Sequence, residues 1–251
     1  MSQIEDYLDR IILGDSLSVM REMPDECVDL VVTSPPYNIK NSTGNGLKKG
    51  TKTGKWSGAA LQNGYAHHDD NMPHNEYVWW QNACLQEMFR LLKPSGAIFY
   101  NHKRRVQGGQ LQDRDAILKG LPVRQIIIWK RAGGINFNPG YFLPTHEVIY
   151  LIPKPEFKLV PKANAYGDVW EFNQEMKNAH PAPFPLALPK RCIESTNAEV
   201  VLDPFMGSGT TALAAKILGK KFVGIEISEE YVRMAEERLA STVLLTSTAN
   251  G

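Results

Sequence analysis

The sequence predicts an α/β fold with a doubly wound, mostly parallel sheet. Short apolar runs, which suit strands buried on both faces, alternate along the chain with segments of helical periodicity. Glycine, proline and helix-capping residues separate these segments. The composition, 43% hydrophobic and 22% charged residues, is that of an ordinary folded domain and excludes coiled-coil and wholly disordered chains. Alternation of this kind builds a sheet that is covered by helices on both faces.

The N-terminal half supplies four predicted strands and one helix. The run VDLVV at 28–32 predicts the first strand. Residues 75–92 predict a helix, because Leu85, Met88, Phe89 and Leu92 share one face, and LKPSG is expected to end it. Further strands are predicted over 97–101, 125–129 and 146–152.

The C-terminal half continues the alternation. Strands are predicted over 200–203 and 221–226, and a helix over 210–218 is closed by Gly219. Ser228 can cap the last helix, in which Tyr231, Ala235 and Leu239 share a face. Residues 241–251 are expected to form a frayed tail.

Residues 1–251 are predicted to form a single domain with two long irregular segments. The segment at about 39–75 contains a stretch rich in glycine, lysine, threonine and serine, which bury little apolar surface. The segment at 153–185 is rich in proline. The net charge is only +1, but basic residues concentrate in the first segment and between Lys103 and Arg131. Basic regions of this kind fit a polyanionic partner, with a solvated basic surface as the alternative.

Three features indicate a cytoplasmic protein that needs no metal. The three cysteines are scattered and form no CxxC pair, which argues against disulfides and structural zinc. The N-terminus carries acids in place of an apolar signal core, and no apolar run is long enough to cross a membrane. The segment from His67 to His74 holds histidines and aspartates, but their spacing is not that of a common metal site.

A glycine loop follows the strand at 200–203. The sequence VLDPFMGSGTT places Gly207 and Gly209 between the end of that strand and the start of a helix, where glycine allows a ligand to approach the backbone closely. Glu226 ends the next strand, where a carboxylate can accept hydrogen bonds from ribose hydroxyls. A plain tight turn between strand and helix is the alternative.

The loop favours one nucleoside cofactor over others. It lacks the G-x-G-x-x-G pattern of dinucleotide sites, and the chain has no Walker motif with its phosphate-binding lysine. A pyrophosphate would therefore lack its usual partners. S-adenosyl-L-methionine has no phosphate, and its ribose and amino-acid ends fit this loop.

A second motif, TSPPYN at 33–38, follows the first predicted strand at the edge where open α/β sheets bind ligands. Pro35 and Pro36 lack N–H donors, so the Ser34 hydroxyl and the Pro35 carbonyl are left as rigid acceptors. Tyr37 offers a flat ring for stacking. Together these groups suit an amino group on a planar ring, such as an extruded nucleobase. A proline turn with a packed tyrosine is the alternative.

The two motifs together resemble those of the amino-methylating DNA methyltransferases. Members carry a [DSN]-PP-[YFW] motif and an F-x-G-x-G motif, and this chain has SPPY at 34–37 and FMGSG at 205–209. The order, with SPPY first, is similar to the circularly permuted β-group of that family. The resemblance implies the Rossmann-like fold of methyltransferases that use S-adenosyl-L-methionine.

The resemblance also implies roles for single residues. Ser34, Pro35, Pro36 and Tyr37 look like the catalytic motif. The residues that look like a cofactor site are Asp15, Asp203, Phe205, Gly207, Gly209 and Glu226, with Phe184 in the HPAPFP segment. Asp15 has a simple alternative role as a helix cap. Residues expected to contact DNA are Asn38, Lys48, Lys49, Lys52, Lys55, Lys103, Arg104 and Arg105.

The implied reaction is direct methyl transfer to an exocyclic amine of an extruded base in duplex DNA. A serine at position 34 favours N4 of cytosine, and N6 of adenine is the alternative. An RNA or small-molecule methyltransferase, or a binding module without catalysis, are the remaining alternatives. The family implies two further partners, a second copy of the chain and a cognate restriction endonuclease.

Overall fold

The computed structural model describes residues 3–38, 72–107, 109–112, 115–131, 139–173 and 185–248. Its centre is an eight-stranded sheet, and a separate two-stranded ribbon lies beside it. The ten strands are β1 (Arg10–Leu13), β2 (Val28–Thr33), β3 (Leu92–His102), β4 (Arg105–Gln107), β5 (Gln110–Gln112), β6 (Gln125–Lys130), β7 (His146–Pro153), β8 (Val169–Glu171), β9 (Val200–Asp203) and β10 (Lys221–Glu226). The helices are α1 (Ser16–Glu22), α2 (His74–Leu91), α3 (Ala187–Glu194), α4 (Thr210–Ile217) and α5 (Glu229–Thr248).

The order of strands in the sheet is β1-β10-β9-β2-β3-β7-β6-β8. The first five in this order run parallel, so their carboxyl ends meet at one edge. Strand β7 is antiparallel to both its neighbours and therefore begins at that same edge. Strands β9 and β2 lie side by side although 170 residues separate Thr33 from Asp203. Neighbours so distant in sequence mark the point where an α/β sheet changes winding direction, and ligands bind in the crevice there.

Helices cover both faces of the sheet, which confirms the doubly wound fold class. One hydrophobic cluster joins the sheet to α1 and α2, and includes Met20, Leu85 and Met88. The other joins the opposite face to α3, α4 and α5, and includes Leu188 and Leu213. The strands read as continuous apolar runs because both faces are covered.

The structure differs from the sequence-based prediction in several elements. Leu92 begins β3 in place of ending α2, and the LKPSG segment belongs to β3, where the register with β2 shifts. Strands β1, β4, β5 and β8, each of 3 or 4 residues, were not predicted, and neither was helix α3. Segments this short carry little periodicity. The segment 153–185 is thus not irregular throughout, since Trp170 of β8 is buried. Helix α5 continues to Thr248 in place of fraying from Ser241, and neither glycine nor proline interrupts it.

Among the residues that the structure describes, no helix is long and apolar enough to span a membrane.

Candidate active site

The two predicted motifs lie next to each other at the carboxyl edge of the sheet. Ser34 follows β2, and the loop with Gly207 follows β9, its neighbour. The hydroxyl of Thr33 donates a hydrogen bond to the Asp203 carboxylate at 2.7 Å, and both side chains are buried. This bond joins the residue before Ser34 to the first residue of the glycine loop. Both motifs therefore face one crevice.

Ser34 and Tyr37 belong to a polar network that sequence reasoning missed. Their hydroxyl oxygens lie 2.7 Å apart. The Asn101 amide, at the end of β3, donates to Ser34 at 3.2 Å and to Tyr37 at 2.9 Å. It also reaches Glu147 Oε2, at the start of β7, at 2.9 Å, and the Tyr37 hydroxyl donates to the same oxygen at 3.2 Å. The other Glu147 oxygen pairs with Arg131 at 3.2 Å.

A second group of contacts, from α2 and the end of β3, holds the proline turn in place. The Tyr77 hydroxyl, on α2, donates to the Pro36 carbonyl at 2.9 Å and lies 2.8 Å from His102 Nε2. The His102 ring packs on the Tyr37 ring, with centroids 4.8 Å apart. Among the described residues, no donor reaches the Pro35 carbonyl. Pro35 is buried beside Ser34, and the role of its carbonyl as an acceptor for a substrate stays a prediction.

Asn38, which the sequence predicts to contact DNA, is held by the protein itself. It is buried, with a left-handed φ of 55°, and its amide donates to the Met72 carbonyl at 2.8 Å. Asparagine tolerates this conformation better than most residues. The placement makes Asn38 a structural residue that ends the turn.

Glu226 organises the glycine loop. Its Oε2 accepts the Gly207 N–H at 2.8 Å, and its Oε1 accepts the Ser228 N–H at 2.9 Å, just before α5. A carboxylate oxygen can accept a second hydrogen bond, so these contacts are compatible with the predicted binding of ribose hydroxyls. Asp15, at the end of β1, caps α1 by accepting the Ser18 N–H at 2.9 Å, which is the alternative role that its sequence context allows.

Asp203 is electrostatically the most unusual group of the loop. Burial raises the pKa of this carboxyl from 3.8 to about 6, against the opposing effect of hydrogen bonds from Thr33, Thr211 and the Phe205 N–H. The negative charge of Glu226 adds to the rise. A buried carboxyl of this kind is stabilised in its charged form by a nearby cation.

The residues of the glycine loop and its surroundings fit the cofactor predicted from the sequence. S-adenosyl-L-methionine carries a sulfonium and an ammonium group, and the acidic Asp203 and Glu226 are suited to positive charge. Gly207 and Gly209 have left-handed φ angles of 52° and 80°, and Gly207 is half-buried, whereas Gly209 is buried against α5. The Phe205 ring meets Trp80 edge-on at 5.6 Å and offers an apolar surface for a ring system.

The remaining predicted site residues fall into two groups. Phe184 and the lysines Lys48, Lys49, Lys52 and Lys55 fall outside the described residues, as does the side chain of Arg105. Lys103 follows β3 at the site edge and is half-buried. Arg104 is held against the protein, where it donates to the Tyr150 hydroxyl at 3.1 Å and lies 4.0 Å from Asp115.

The three cysteines are poor nucleophiles. All are buried, and desolvation raises the pKa of Cys27 to about 11 and the pKa values of Cys84 and Cys192 further. A covalent route through an activated thiolate is therefore disfavoured. No group of three or more potential metal ligands occurs within the described part of the chain.

Comparison with known proteins shows which family has these features. A model of the DNA methylase family, of the N6/N4 type, matches residues 28–237. The chain is 32% identical to the type II methyltransferase M.BglII of Bacillus subtilis, over 93% of the chain and 69% of that protein. It is 30% identical to the type II methyltransferase M.HpaI of Haemophilus parainfluenzae, over 92% of the chain and 74% of that protein. The chain belongs to the DNA methylase family.

Solved structures agree with the fold of this methylase. One is a Thermus thermophilus protein assigned as a DNA modification methylase and complexed with S-adenosyl-L-methionine, with a TM-score of 0.65 at 25% identity. That likeness covers 92% of this methylase and 93% of the other chain. The cytosine-N4-specific PvuII DNA methyltransferase has a TM-score of 0.69 at 21% identity, over 90% of this chain and 84% of that one, which supports the fold.

Gly209 provides a test of the loop geometry. A Cβ at this position would lie 2.9 Å from Ala235 Cβ on α5, whereas a Cβ at Gly219, also at positive φ, would meet no described atom within 4 Å. We expect Gly219→Ala to lower the free energy of unfolding by about 1 kcal/mol through backbone strain alone. Gly209→Ala should lower the free energy of unfolding by about 1–3 kcal/mol more than Gly219→Ala does, because α5 must shift. Urea denaturation of both variants measures this difference. Equal losses would show that the close packing of Gly209 against Ala235 does not exclude a side chain at position 209.

Proposed function

We propose that this methylase transfers the methyl group of S-adenosyl-L-methionine to the exocyclic N4 of cytosine in duplex DNA. The observation that carries the proposal is the Thr33–Asp203 hydrogen bond of 2.7 Å, which sets the SPPY acceptors beside the glycine loop. Asp15, Asp203, Phe205, Gly207, Gly209 and Glu226 would hold the cofactor, together with Phe184. Bound there, the cofactor supplies an activated methyl group on a sulfonium.

The SPPY turn would prepare the amine for attack. An exocyclic amine is a weak nucleophile, because its lone pair is delocalised into the ring. Hydrogen bonds from its two N–H groups to the Ser34 hydroxyl and the Pro35 carbonyl favour a localised, tetrahedral lone pair. Asn101 contacts the Ser34 hydroxyl, and Tyr77 holds the neighbouring Pro36 carbonyl, so the turn that carries both acceptors is fixed before the substrate arrives. This is electrostatic preorganisation.

Base extrusion would supply the substrate in reach of these acceptors. An amine inside a stacked duplex cannot enter a crevice at a sheet edge, so the base must leave the stack. One side of the Tyr37 ring packs on His102, and the other side is proposed to stack on the base. Lys103, Arg104 and Arg105, together with the lysines of the 39–75 segment, are proposed to contact DNA phosphates. A homodimer and a cognate restriction endonuclease are proposed partners.

Cytosine is proposed over adenine because position 34 is serine, which in the family accompanies N4-cytosine enzymes more often than aspartate does. The chemistry of the acceptors serves either amine. The alternative, N6 of adenine, is therefore an outcome of the test and shares the same site.

Nucleoside analysis tests the proposal. The methylase is incubated with tritiated cofactor and with genomic DNA, RNA or free nucleosides, and the labelled DNA is digested and analysed by mass spectrometry. We expect label in duplex DNA and 4-methylcytosine as the product. Finding 6-methyladenine alone would overturn the cytosine assignment, and label in RNA or free nucleosides alone would overturn the DNA substrate. A Ser34→Ala variant controls for contaminating activity.

A further inference from the structure

Glu147 is a buried carboxylate that the chemistry described above does not use. It is the second residue of β7, it is followed by the run Val148–Pro153, which is largely apolar, and it is 7% exposed. It lies within the crevice network, because Tyr37 and Asn101 both donate to its Oε2. The Arg131 guanidinium pairs with its Oε1, and both side chains are nearly covered. Removing one partner of such a pair would leave an uncompensated buried charge on the other.

The hydrogen bonds from Ser34 to Glu147 all run in one direction. A carboxylate only accepts, so the single Tyr37 proton is directed to Glu147 Oε2, 3.2 Å away. Ser34 must then be the donor in its 2.7 Å contact with the Tyr37 oxygen. The Asn101 amide also donates to Ser34. The Ser34 oxygen can accept one more hydrogen bond, from an N–H of the substrate amine. The amine is then the first donor in a chain that continues through Ser34 and Tyr37 to Glu147.

We propose that Glu147 receives the proton released by the methylated amine, through the hydroxyl groups of Ser34 and Tyr37. The inference rests on the proposed function only in that the target is an exocyclic amine, and it holds for cytosine and adenine alike. Glu147 does not touch the substrate and acts through Tyr37, so it is a positioning residue and the final proton acceptor.

The proposed step balances. The amine lone pair forms the N–CH₃ bond while the S–CH₃ bond breaks and its electron pair stays on sulfur. The nitrogen, now positively charged, gives a proton to the Ser34 oxygen as the Ser34 proton moves to Tyr37 and the Tyr37 proton moves to Glu147. Both hydroxyl groups are restored, and Glu147 becomes a neutral carboxylic acid that later loses its proton to water. Arg131 balances the carboxylate charge before the step.

Two variants remove the relay at different points. Glu147→Gln keeps the volume and removes the acceptor, whereas Tyr37→Phe keeps the stacking ring and removes the hydroxyl. We expect each to lower the single-turnover rate of methyl transfer about 10²–10⁴-fold, the range typical of general acid–base catalysis. Cofactor affinity and DNA affinity should each change less than about threefold, because neither variant alters the glycine loop or the ring face. The double variant should be no slower than the slower single variant, because both remove the same relay.

Glu171→Gln is the matched control. Glu171 lies on β8 in an exposed ion pair with Lys130 at 3.0 Å, so the same change there should leave the rate unaltered. The solvent deuterium isotope effect on the single-turnover rate supplies a readout that a structural role would not move, and it should fall towards one in both relay variants. Glu147→Gln leaves Arg131 without its partner. If this variant does not fold, the rate of Tyr37→Phe and its solvent isotope effect still test the relay.

Three results would overturn the relay: a folded Glu147→Gln variant with a rate within about threefold of the parent, single losses that multiply in the double variant, or an unchanged isotope effect. Mass spectrometry of the product keeps this outcome separate from the choice of base. A parent enzyme that yields 6-methyladenine refutes the cytosine assignment and still permits the test of the relay.

Discussion

Replacement of Ser34 by alanine is expected to lower the single-turnover rate of methyl transfer about 10²–10³-fold, the loss typical when one preorganised electrostatic contact is removed. The Ser34 oxygen lies at the carboxyl end of β2, held by Tyr37 at 2.7 Å and by Asn101 at 3.2 Å. Alanine removes the acceptor for the amine and also the first hydroxyl of the proposed relay. Cofactor affinity should stay within about threefold of the parent value, because the glycine loop follows another strand.

Rapid-quench measurement of labelled DNA and calorimetric titration with the cofactor check the two halves of this prediction. Ser241→Ala is a suitable control, since this exposed serine on α5 bonds only to the backbone of its own helix, at Glu237, among the described contacts. A Ser34→Ala variant that transfers methyl groups at the parent rate would refute the role of the SPPY turn. A variant that loses cofactor affinity as strongly as rate would refute the division of the site into two halves.

Asp203→Asn should change stability in a way that depends on pH. The folded protein raises the pKa of Asp203 from 3.8 to about 6, so the native state binds this proton more tightly than the unfolded chain does. The favourable contribution is fully present below about pH 4 and is lost as pH rises through about 6. At neutral pH the buried charge then costs ~3 kcal/mol relative to acid conditions.

Asparagine carries no such charge, so the free energy of unfolding of Asp203→Asn minus that of the parent should rise by ~3 kcal/mol between about pH 3 and about pH 7. Urea denaturation across this range measures the difference. Asp29→Asn, at the opposite end of β2, provides the comparison, since Asp29 instead accepts the Val200 N–H at 2.8 Å and pairs with Lys93. A difference for Asp203→Asn that does not vary with pH would show that this carboxyl is not perturbed by burial.

The same variant should bind the cofactor more weakly at pH 8, by about 10–100-fold, the loss expected when a charged partner is replaced by a neutral one. The parent should bind more tightly as pH rises through about 6, because the ionised carboxylate then meets the cationic cofactor. Calorimetric titration at several pH values tests this, with Asp29→Asn again as the control. Unaltered affinity in Asp203→Asn would remove Asp203 from the cofactor site.

The motifs could be predicted from the sequence because each is local. The SPPY turn and the glycine loop occupy a few consecutive residues, and strand–helix alternation places both at the same edge of a parallel sheet. The polar network of Asn101, Arg131 and Glu147 could not be predicted, because it depends on β7 lying antiparallel between β3 and β6. A weak signal was present: Asn101 and Glu147 are polar residues within apolar strands, where an unpaired polar group would be costly.

Other differences arise from tertiary contacts that a local pattern does not reveal. Asn38 follows the SPPY motif, and its left-handed backbone, its burial and its bond to Met72 could not be predicted from the motif. Strand β8 is stabilised by pairing with β6 and by burial of Trp170, both of which depend on distant parts of the chain. Tertiary contacts decide such short elements, whereas local propensity does not.

The central claim is that one crevice presents an extruded base to the SPPY acceptors and the cofactor to the glycine loop. The most direct measurement is a crystal structure of the methylase with S-adenosylhomocysteine and a duplex containing its target site. The account predicts the base on the Tyr37 ring, its amine about 3 Å from Ser34 Oγ and the cofactor sulfur within a few ångströms of that amine. A base amine held away from Ser34, or a cofactor bound apart from Gly207, would contradict it.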